Sequence, residues 1–399
     1  MRQTGEKIMG RRNFLAAATA TAGTITFVKP AAVRGTQANS AIEMGIIGAG
    51  GRGIWLGQLA HKETQIKIVA LQDPFEDRLA RGRERLGIDP SRCYRGIRSY
   101  KDLLASKLDA VAVESPPYFH PEQAMAAVEA GKHVYLAKPV AVDVPGCKAI
   151  MEAGRRAKDR LSFFVDFQTR STPFFMEAAR RVHEGAIGRP ISGQVYYQAG
   201  RLRPQADPKD KSDSARLRNW VFDIGLSGDI IVEQNVHVLD VANWFLRATP
   251  VKAFGTGGRK ARVDVGDCWD HFIVTYWYPG DVLIDFSSGQ YLKGFDDLCT
   301  RIYGTEGTVD AHYDGQVSIK GTNPYEGGST KGMYTTGAAA NLRTFEASLR
   351  SGKALNNSVE CANSTLTAIL GRKAAYEGRI VTWEEMIGDE KAHKVNLSL

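Results

Sequence analysis

Cysteine is scarce in this chain. Its 399 residues hold five, Cys93, Cys147, Cys268, Cys299 and Cys361, an odd number with no Cys-x-x-Cys pair. A disulfide-dense scaffold is thereby excluded, and the five read as mostly buried small apolar residues. Long apolar runs are missing too: no later segment approaches the ~20 uncharged residues that a membrane-spanning helix needs. The signatures Ser-x-x-Lys, Gly-x-Ser-x-Gly and His-Glu-x-x-His are absent. Strong net charge is lacking over most of the chain. The balance is +8, but Arg2, Lys7, Arg11, Arg12, Lys29 and Arg34 stand against a single acid, Glu6, in residues 1–40. The remainder carries little electrostatic case for nucleic acid. What is present is a normal globular composition, 43% hydrophobic and 9% aromatic, long enough for two or three domains.

The first 40 residues have their own order. A basic segment ends in Arg11-Arg12-Asn13-Phe14-Leu15, a charge-free stretch rich in Ala and Thr runs from Ala16 to Val28, and Lys29-Pro30 closes it. This is identified as a twin-arginine export signal, with Gly10 where Ser or Thr is usual. A periplasmic location and the twin-arginine machinery as a partner are expected. Ala38-Asn39-Ser40 fits a small-x-small cleavage rule.

The first globular domain is expected over 41–165. An apolar strand pattern ends in Gly48-Ala49-Gly50-Gly51-Arg52-Gly53, after which a helical pattern begins. In this arrangement Gly48 permits the tight turn, Gly50 lets the backbone approach a pyrophosphate, and Gly53 lets helix pack on strand. Free N–H groups at the helix start would take the phosphates. A second strand ends at Asp73, placed to bond the adenosine ribose hydroxyls. That favours NAD, with Arg52 and Arg78 leaving NADP open. Strand patterns at 109–114, 133–136 and 161–165 alternate with helical ones at 121–130 and 144–158, which predicts a doubly wound parallel sheet. Gly48–Gly53, Asp73, Ser115–Pro117 and Lys138 all fall at carboxyl ends of strands, where such sheets bind ligands.

Three stretches resemble the Gfo/Idh/MocA oxidoreductases: Ile46–Gly53, Glu114-Ser115-Pro116-Pro117-x-x-His120, and Gly131-Lys132-His133-Val134-x-x-Ala137-Lys138-Pro139. The resemblance implies an N-terminal Rossmann domain and a C-terminal α+β domain, here 166–399, with a large open, mainly antiparallel sheet. It also implies homo-oligomers and a sugar or cyclitol substrate. Cofactor contacts are expected from Gly48, Gly50, Gly51, Arg52, Gly53, Asp73, Ser115, Pro116, His120 and Lys138. The family's Glu-Lys-Pro reads Ala137-Lys138-Pro139 here, which puts fine cofactor positioning in question.

In 166–399, strand-like runs at 191–198, 251–255, 270–277, 281–287, 298–303 and 308–313 suit a meandering antiparallel sheet. Residues 199–226 read equally as a loop covering the site or as a surface excursion. From the Asp229 region a helix is expected to place Glu233, His237 and Asp240 on one face. A surface ion pair and a metal site are the competing readings, and no metal is expected there because a third His or Cys ligand is not evident. The family resemblance makes Lys138, Glu233 and His237 the catalytic set, with Glu233 in place of an Asp and Asn235 in place of a Gly. His237 would then serve as base, Glu233 would orient it, and Lys138 would stabilise alkoxide character. Gln168, Arg170 and Asp240 are candidate substrate ligands, with packing roles as the alternative. An exported dehydrogenase meets little free NAD, so a retained dinucleotide is expected. The reaction would be net oxidoreduction or a redox-neutral glycoside cleavage, and a degenerate sugar-binding protein is the alternative from another class.

Overall fold

The computed structural model describes residues 41–398; the expected export signal lies outside them. From Ala41 onward the chain forms one compact unit around two sheets. The first has six parallel strands in the order β3-β2-β1-β4-β5-β6: β1 Glu43–Ile47, β2 Lys67–Asp73, β3 Cys93–Arg95, β4 Ala110–Val113, β5 His133–Ala137 and β6 Phe163–Asp166. Its central strands are short and apolar because helices cover both faces; β4, Ala-Val-Ala-Val, is buried at every position. The helix Glu76–Leu86 between β2 and β3 has no counterpart in the sequence reading. Only Leu79, Gly82 and Leu86 are buried on it, too thin an apolar stripe to stand out among arginines and glutamates.

The second sheet has nine strands in the order β14-β13-β12-β11-β7-β10-β9-β8-β15: β7 Pro190–Gly200, β8 Lys252–Gly258, β9 His271–Tyr278, β10 Val282–Leu292, β11 Asp297–Gly304, β12 Gly307–His312, β13 Gln316–Gly321, β14 Tyr325–Ser329 and β15 Val381–Thr382. The pairings are antiparallel except β10 with β7, which run parallel. One face packs on helices and the other is open, as the alternating burial of β9 shows.

The helix Ser358–Glu377 joins the two halves, packing on the helix Val144–Ala157 as well as on β8 and β9. Its Arg372, buried, donates to the carbonyls of Val142 at 3.0 Å and Gly228 at 2.7 Å. One apolar core runs from Val111 and Leu136 of the first sheet to Val274 and Phe286 of the second. Asp166 still belongs to β6, so the first sheet runs past the expected boundary at 165, and the chain enters the second sheet only at β7, without a break in the core.

The expected single helix from Asp229 is two. Ile230–Glu233 is one short helix and Val236–Leu246 the next. At the junction the amide of Asn235 reaches back to the carbonyl of Ile230, five residues earlier, at 2.9 Å. This wide turn interrupts the regular ladder between Glu233 and His237. Gln234 is held there by the side-chain amide of Gln290.

Candidate active site

The carboxyl ends of the first sheet open into a groove of about 320 Å³. Gly48, Gly50, Gly51, Asp73, Ser115 and Pro116 are among the residues lining it. Gly48 has φ +94°, and a Cβ there would lie 2.6 Å from the Ser115 amide nitrogen. A Cβ on Gly53 would sit 2.2 Å from the Gly48 carbonyl oxygen. These two glycines let the turn close on neighbouring backbone. Gly50 and Gly51 differ: beyond them lies open space, with only an Arg78 nitrogen 3.9 Å from a Cβ on Gly50. This space lies before the free amides of the helix Gly51–Glu63, where a pyrophosphate fits. Asp73 ends β2 with its carboxylate accepting from the Phe75 amide at 2.9 Å. Burial raises its pKa to about 6, against the opposing pull of Arg78, whose guanidinium lies 3.8 Å away.

The segment 199–226 covers this groove rather than wandering from it. It carries the helix Asp213–Arg218, and Gln205, Leu217, Arg218 and Trp220 form part of the groove wall. Arg218 bonds Asp77 at 2.6 Å and lies 4.0 Å over the Phe75 ring. The chain's last residues reinforce it, the Ser398 amide donating to Asp213 at 2.6 Å.

Deeper in, Arg52 does more than line the groove. Its guanidinium bonds Asp166, lies 3.4 Å from Glu114, and sits over the neighbouring rings of Trp55 and Tyr334 at 5.0 and 5.3 Å. Burial disfavours its charge, but the two carboxylates outweigh that and hold it protonated. Asp166 also accepts from Asn341 at 2.5 Å. Glu114 is fully buried and neither carboxyl oxygen has a hydrogen-bond partner. Burial raises its pKa to about 8; Arg52 opposes the rise and Asp166 adds to it.

These acids bear on the Ala137 departure. Asp166 is the cross-strand partner of Ala137, and Glu114 follows Val113, the partner of Leu136. Two acids from the adjoining strands thus flank the position where the family has one. Sequence reading gave neither a role; a carboxylate ending an otherwise wholly apolar strand was the available signal for Glu114.

The Glu114 proton makes stability depend on pH. Its folded pKa, about 8, exceeds the ordinary 4.5, so the native state binds the extra proton. Its stabilising contribution is complete below about pH 4.5 and is lost as pH rises through about 8. The melting temperature of Glu114→Gln relative to the parent is expected to rise steadily from pH 5 to 8. A difference independent of pH would refute the assignment.

Lys138, the residue after β5, donates to the Glu233 carbonyl at 2.6 Å and to its carboxylate at 3.2 Å. His237 stands in the first turn of the second short helix, its ring edged by Phe167 at 5.9 Å and Tyr313 at 5.4 Å. Its Nδ1 is buried without a partner. Burial, with Lys138 and Arg52 adding, lowers its pKa well below 6.5, so the ring is neutral and able to accept a proton. The structure brings the three residues together but changes one role. Glu233 bonds Lys138 and makes no hydrogen bond to His237, because the wide turn at Asn235 separates the carboxylate from the ring.

Four further candidates, Arg170, Asp240, Gln168 and His120, are engaged within the fold; for the first three the packing alternative holds. Arg170 donates to Asp240 at 2.8 Å through Nη2, and Asp240 accepts a further bond from Ser364 at 2.7 Å. With Asp240 0% exposed, this pair ties the 168–171 turn to two helices and leaves its carboxylate no reach to a substrate. Gln168 is likewise buried, packed against Gly337, although its Oε1 has no partner. His120, 1% exposed, begins the helix His120–Glu129 with its ring between the carbonyls of Pro139 at 2.9 Å and Ser115 at 2.8 Å. Burial lowers its pKa to about 4, so the neutral ring donates to one carbonyl at a time. It braces the two loops that carry Ser115 and Lys138 and does not line the groove.

Comparison with known proteins agrees with this fold. Residues 42–165 match the oxidoreductase family with an NAD-binding Rossmann fold, and residues 175–310 match the GFO/IDH/MocA C-terminal domain. The chain is similar to myo-inositol 2-dehydrogenase of Thermotoga maritima, 23% identical over 363 residues, covering 87% of this chain and 100% of that protein. Its fold is that of myo-inositol 2-dehydrogenase from Lactobacillus plantarum, at 21% identity and TM-score 0.69, covering 86% of this chain and 99% of the other. It is also that of levoglucosan dehydrogenase in complex with NADH and levoglucosan, at 18% identity and TM-score 0.69 with the same coverage. The chain belongs to the Gfo/Idh/MocA family of oxidoreductases, and its first sheet is an NAD-binding Rossmann domain.

Proposed function

We propose that this enzyme oxidises a secondary hydroxyl of a cyclitol, sugar or sugar derivative and that it keeps its NAD bound through the cycle. The observation that carries the reading is Lys138 bonded to Glu233, with its charge and that of the groove residue Arg52 acting on the buried His237. The relatives named as inositol and levoglucosan dehydrogenases support the substrate class. The open space at Gly50 and Gly51 and the carboxylate of Asp73 fit the pyrophosphate and ribose of NAD. When bound, NAD supplies a nicotinamide ring that accepts hydride from the substrate carbon. Lys138 donates from Nζ to the substrate oxygen and stabilises the negative charge that develops there. Glu233 holds that ammonium in place. His237, neutral, accepts the hydroxyl proton. Phe167 and Tyr313 keep water from its ring.

Retention of the cofactor is supported by the 199–226 cover and by the export signal read in residues 1–40, which would place the enzyme where free NAD is scarce. Arg218→Ala removes an ion pair and a ring contact worth together about 1–2 kcal/mol. NAD dissociation from this variant is expected to be about tenfold faster, with turnover chemistry unchanged; stopped-flow release rates equal to the parent would refute the clamp. Homo-oligomers are supported by the open sheet face, where Phe254, Ile273 and Leu283 are 44%, 55% and 42% exposed.

The deciding experiment denatures the purified protein and assays released dinucleotide. It then follows nicotinamide absorbance with myo-inositol, scyllo-inositol, levoglucosan and aryl glycosides. Steady NADH formation with added NAD identifies a freely exchanging dehydrogenase. Glycoside cleavage without net NADH identifies the redox-neutral route, which a retained cofactor favours. Bound NAD with no turnover identifies a sugar-binding protein, and absence of both overturns the proposal.

A further inference from the structure

We propose that Cys299, Asp310 and His312 form a zinc-type site on the open face of the nine-stranded sheet, separate from the dehydrogenase site. Cys299 and His312 are direct cross-strand partners on β11 and β12, and Asp310 lies two residues before His312 on the same face. The intervening Thr300 points the other way, bonding the Val238 carbonyl of the His237 helix at 2.9 Å. The sheet therefore separates the cluster from the groove.

The spacing is that of metal ligands. Cys299 Sγ lies 3.5 Å and His312 Nε2 3.2 Å from Asp310 Oδ1, and one ligand atom from each of the three residues falls within 4.8 Å of the others. A tetrahedral ion with bonds of ~2.3 Å to sulfur and ~2.0 Å to nitrogen and oxygen separates its ligand atoms by about 3.3–3.5 Å. No other such group occurs among the described residues.

An outer layer is also built. Asp297 accepts from His312 Nδ1 at 2.7 Å, which in a metal-bound ring would fix the tautomer and present Nε2, the arrangement found behind metal-bound imidazoles. Tyr196 donates to the same Asp297 at 3.1 Å. Arg301 grips Asp310 at 3.0 and 3.1 Å, which aims the carboxylate. Cys299 is 0% exposed, so its thiolate would be shielded, whereas Asp310 and His312 are part-exposed and leave a path for entry.

Charge balances with the ion in place. One divalent cation together with Arg301 offsets the thiolate and the two carboxylates of Asp310 and Asp297. Binding forms metal–sulfur, metal–nitrogen and metal–oxygen bonds and releases the thiol proton and any imidazolium proton to solvent, with no change of oxidation state. A thiolate with an imidazole selects a borderline-soft ion such as Zn²⁺ over Mg²⁺ or Ca²⁺. Three protein ligands leave a fourth position for water or a group from a second molecule.

The test uses the full chain, stripped with chelator and titrated with Co²⁺, whose thiolate complexes absorb in the near ultraviolet by charge transfer. One equivalent per chain is expected, with that band present and discharged by Zn²⁺. Cys299→Ser should abolish the band, while Asp297→Asn should keep it and weaken affinity about 10–100-fold. NAD binding should be unchanged in both. A parent protein without the band shows a hydrogen-bonded ion cluster only and overturns the proposal. So does a band that survives Cys299→Ser. If Cys299→Ser does not fold, unchanged Co²⁺ affinity in Asp297→Asn is itself a refutation.

Discussion

Lys138→Ala is expected to lower kcat about 10³-fold while dinucleotide affinity stays within a few-fold of the parent, and His237→Ala is expected to do the same. General acid–base and oxyanion-type groups each contribute factors of about 10²–10⁴. Lys138 bonds Glu233 and His237 is buried beside Phe167 and Tyr313, and neither forms part of the groove wall at the glycine turn. Their effects should not multiply. The Lys138 charge already depresses the His237 pKa, so the double variant should lose little more than the worse single one. Glu233→Gln should fall between the parent and Lys138→Ala, because the Glu233 backbone carbonyl still accepts from Lys138 at 2.6 Å. The measurement is steady-state kinetics on the best substrate from the panel above, with NAD affinity by fluorescence titration. Turnover within threefold of the parent in either alanine variant would remove that residue from the chemistry.

Gly50→Val should abolish NAD binding, by at least about 100-fold, without lowering the apo melting temperature by more than about 4 °C. The backbone at Gly50 is extended, at φ −73° and ψ −168°, which valine adopts freely. A Cβ there meets only the Arg78 nitrogen, at 3.9 Å, so the added methyls fill the space meant for pyrophosphate. Gly53→Val is the contrasting case. Its Cβ would lie 2.2 Å from the Gly48 carbonyl oxygen, so helix and strand must part and the protein itself should be destabilised. Paired melting curves and NAD titrations separate the two. Equal melting loss in both variants would mean that Gly50 serves the turn rather than the ligand.

The legible parts of this protein were those written in local pattern. Apolar runs ending in Gly48, Asp73 and Lys138 marked strand ends of a parallel sheet, because buried strands carry no polar residues until they leave the core. Less legible were elements whose apolar content is low or whose partners are remote. The helix Glu76–Leu86 buries only three residues, and β13 and β14 close the second sheet with short, glycine-bearing strands. The residues 199–226 had no apolar period, and their cover over the groove depends on Asp77 and Phe75, more than a hundred positions away.

Contiguous pattern was enough for the Rossmann domain and its glycine turn, while Lys138, Glu233 and His237 entered as candidates through the family resemblance of two separate segments. Only the tertiary structure decided how those residues act on one another. It turned Glu233 toward Lys138 through a wide turn that no residue pattern announces. It set Glu114 and Asp166 on either side of Ala137, and it spent Arg170 and Asp240 on each other. It also brought Cys299 opposite His312 across two strands. The physical reason is common to all four: a hydrogen bond or ion pair depends on distances of a few ångströms, and strand register and helix packing set those distances between residues far apart in the chain.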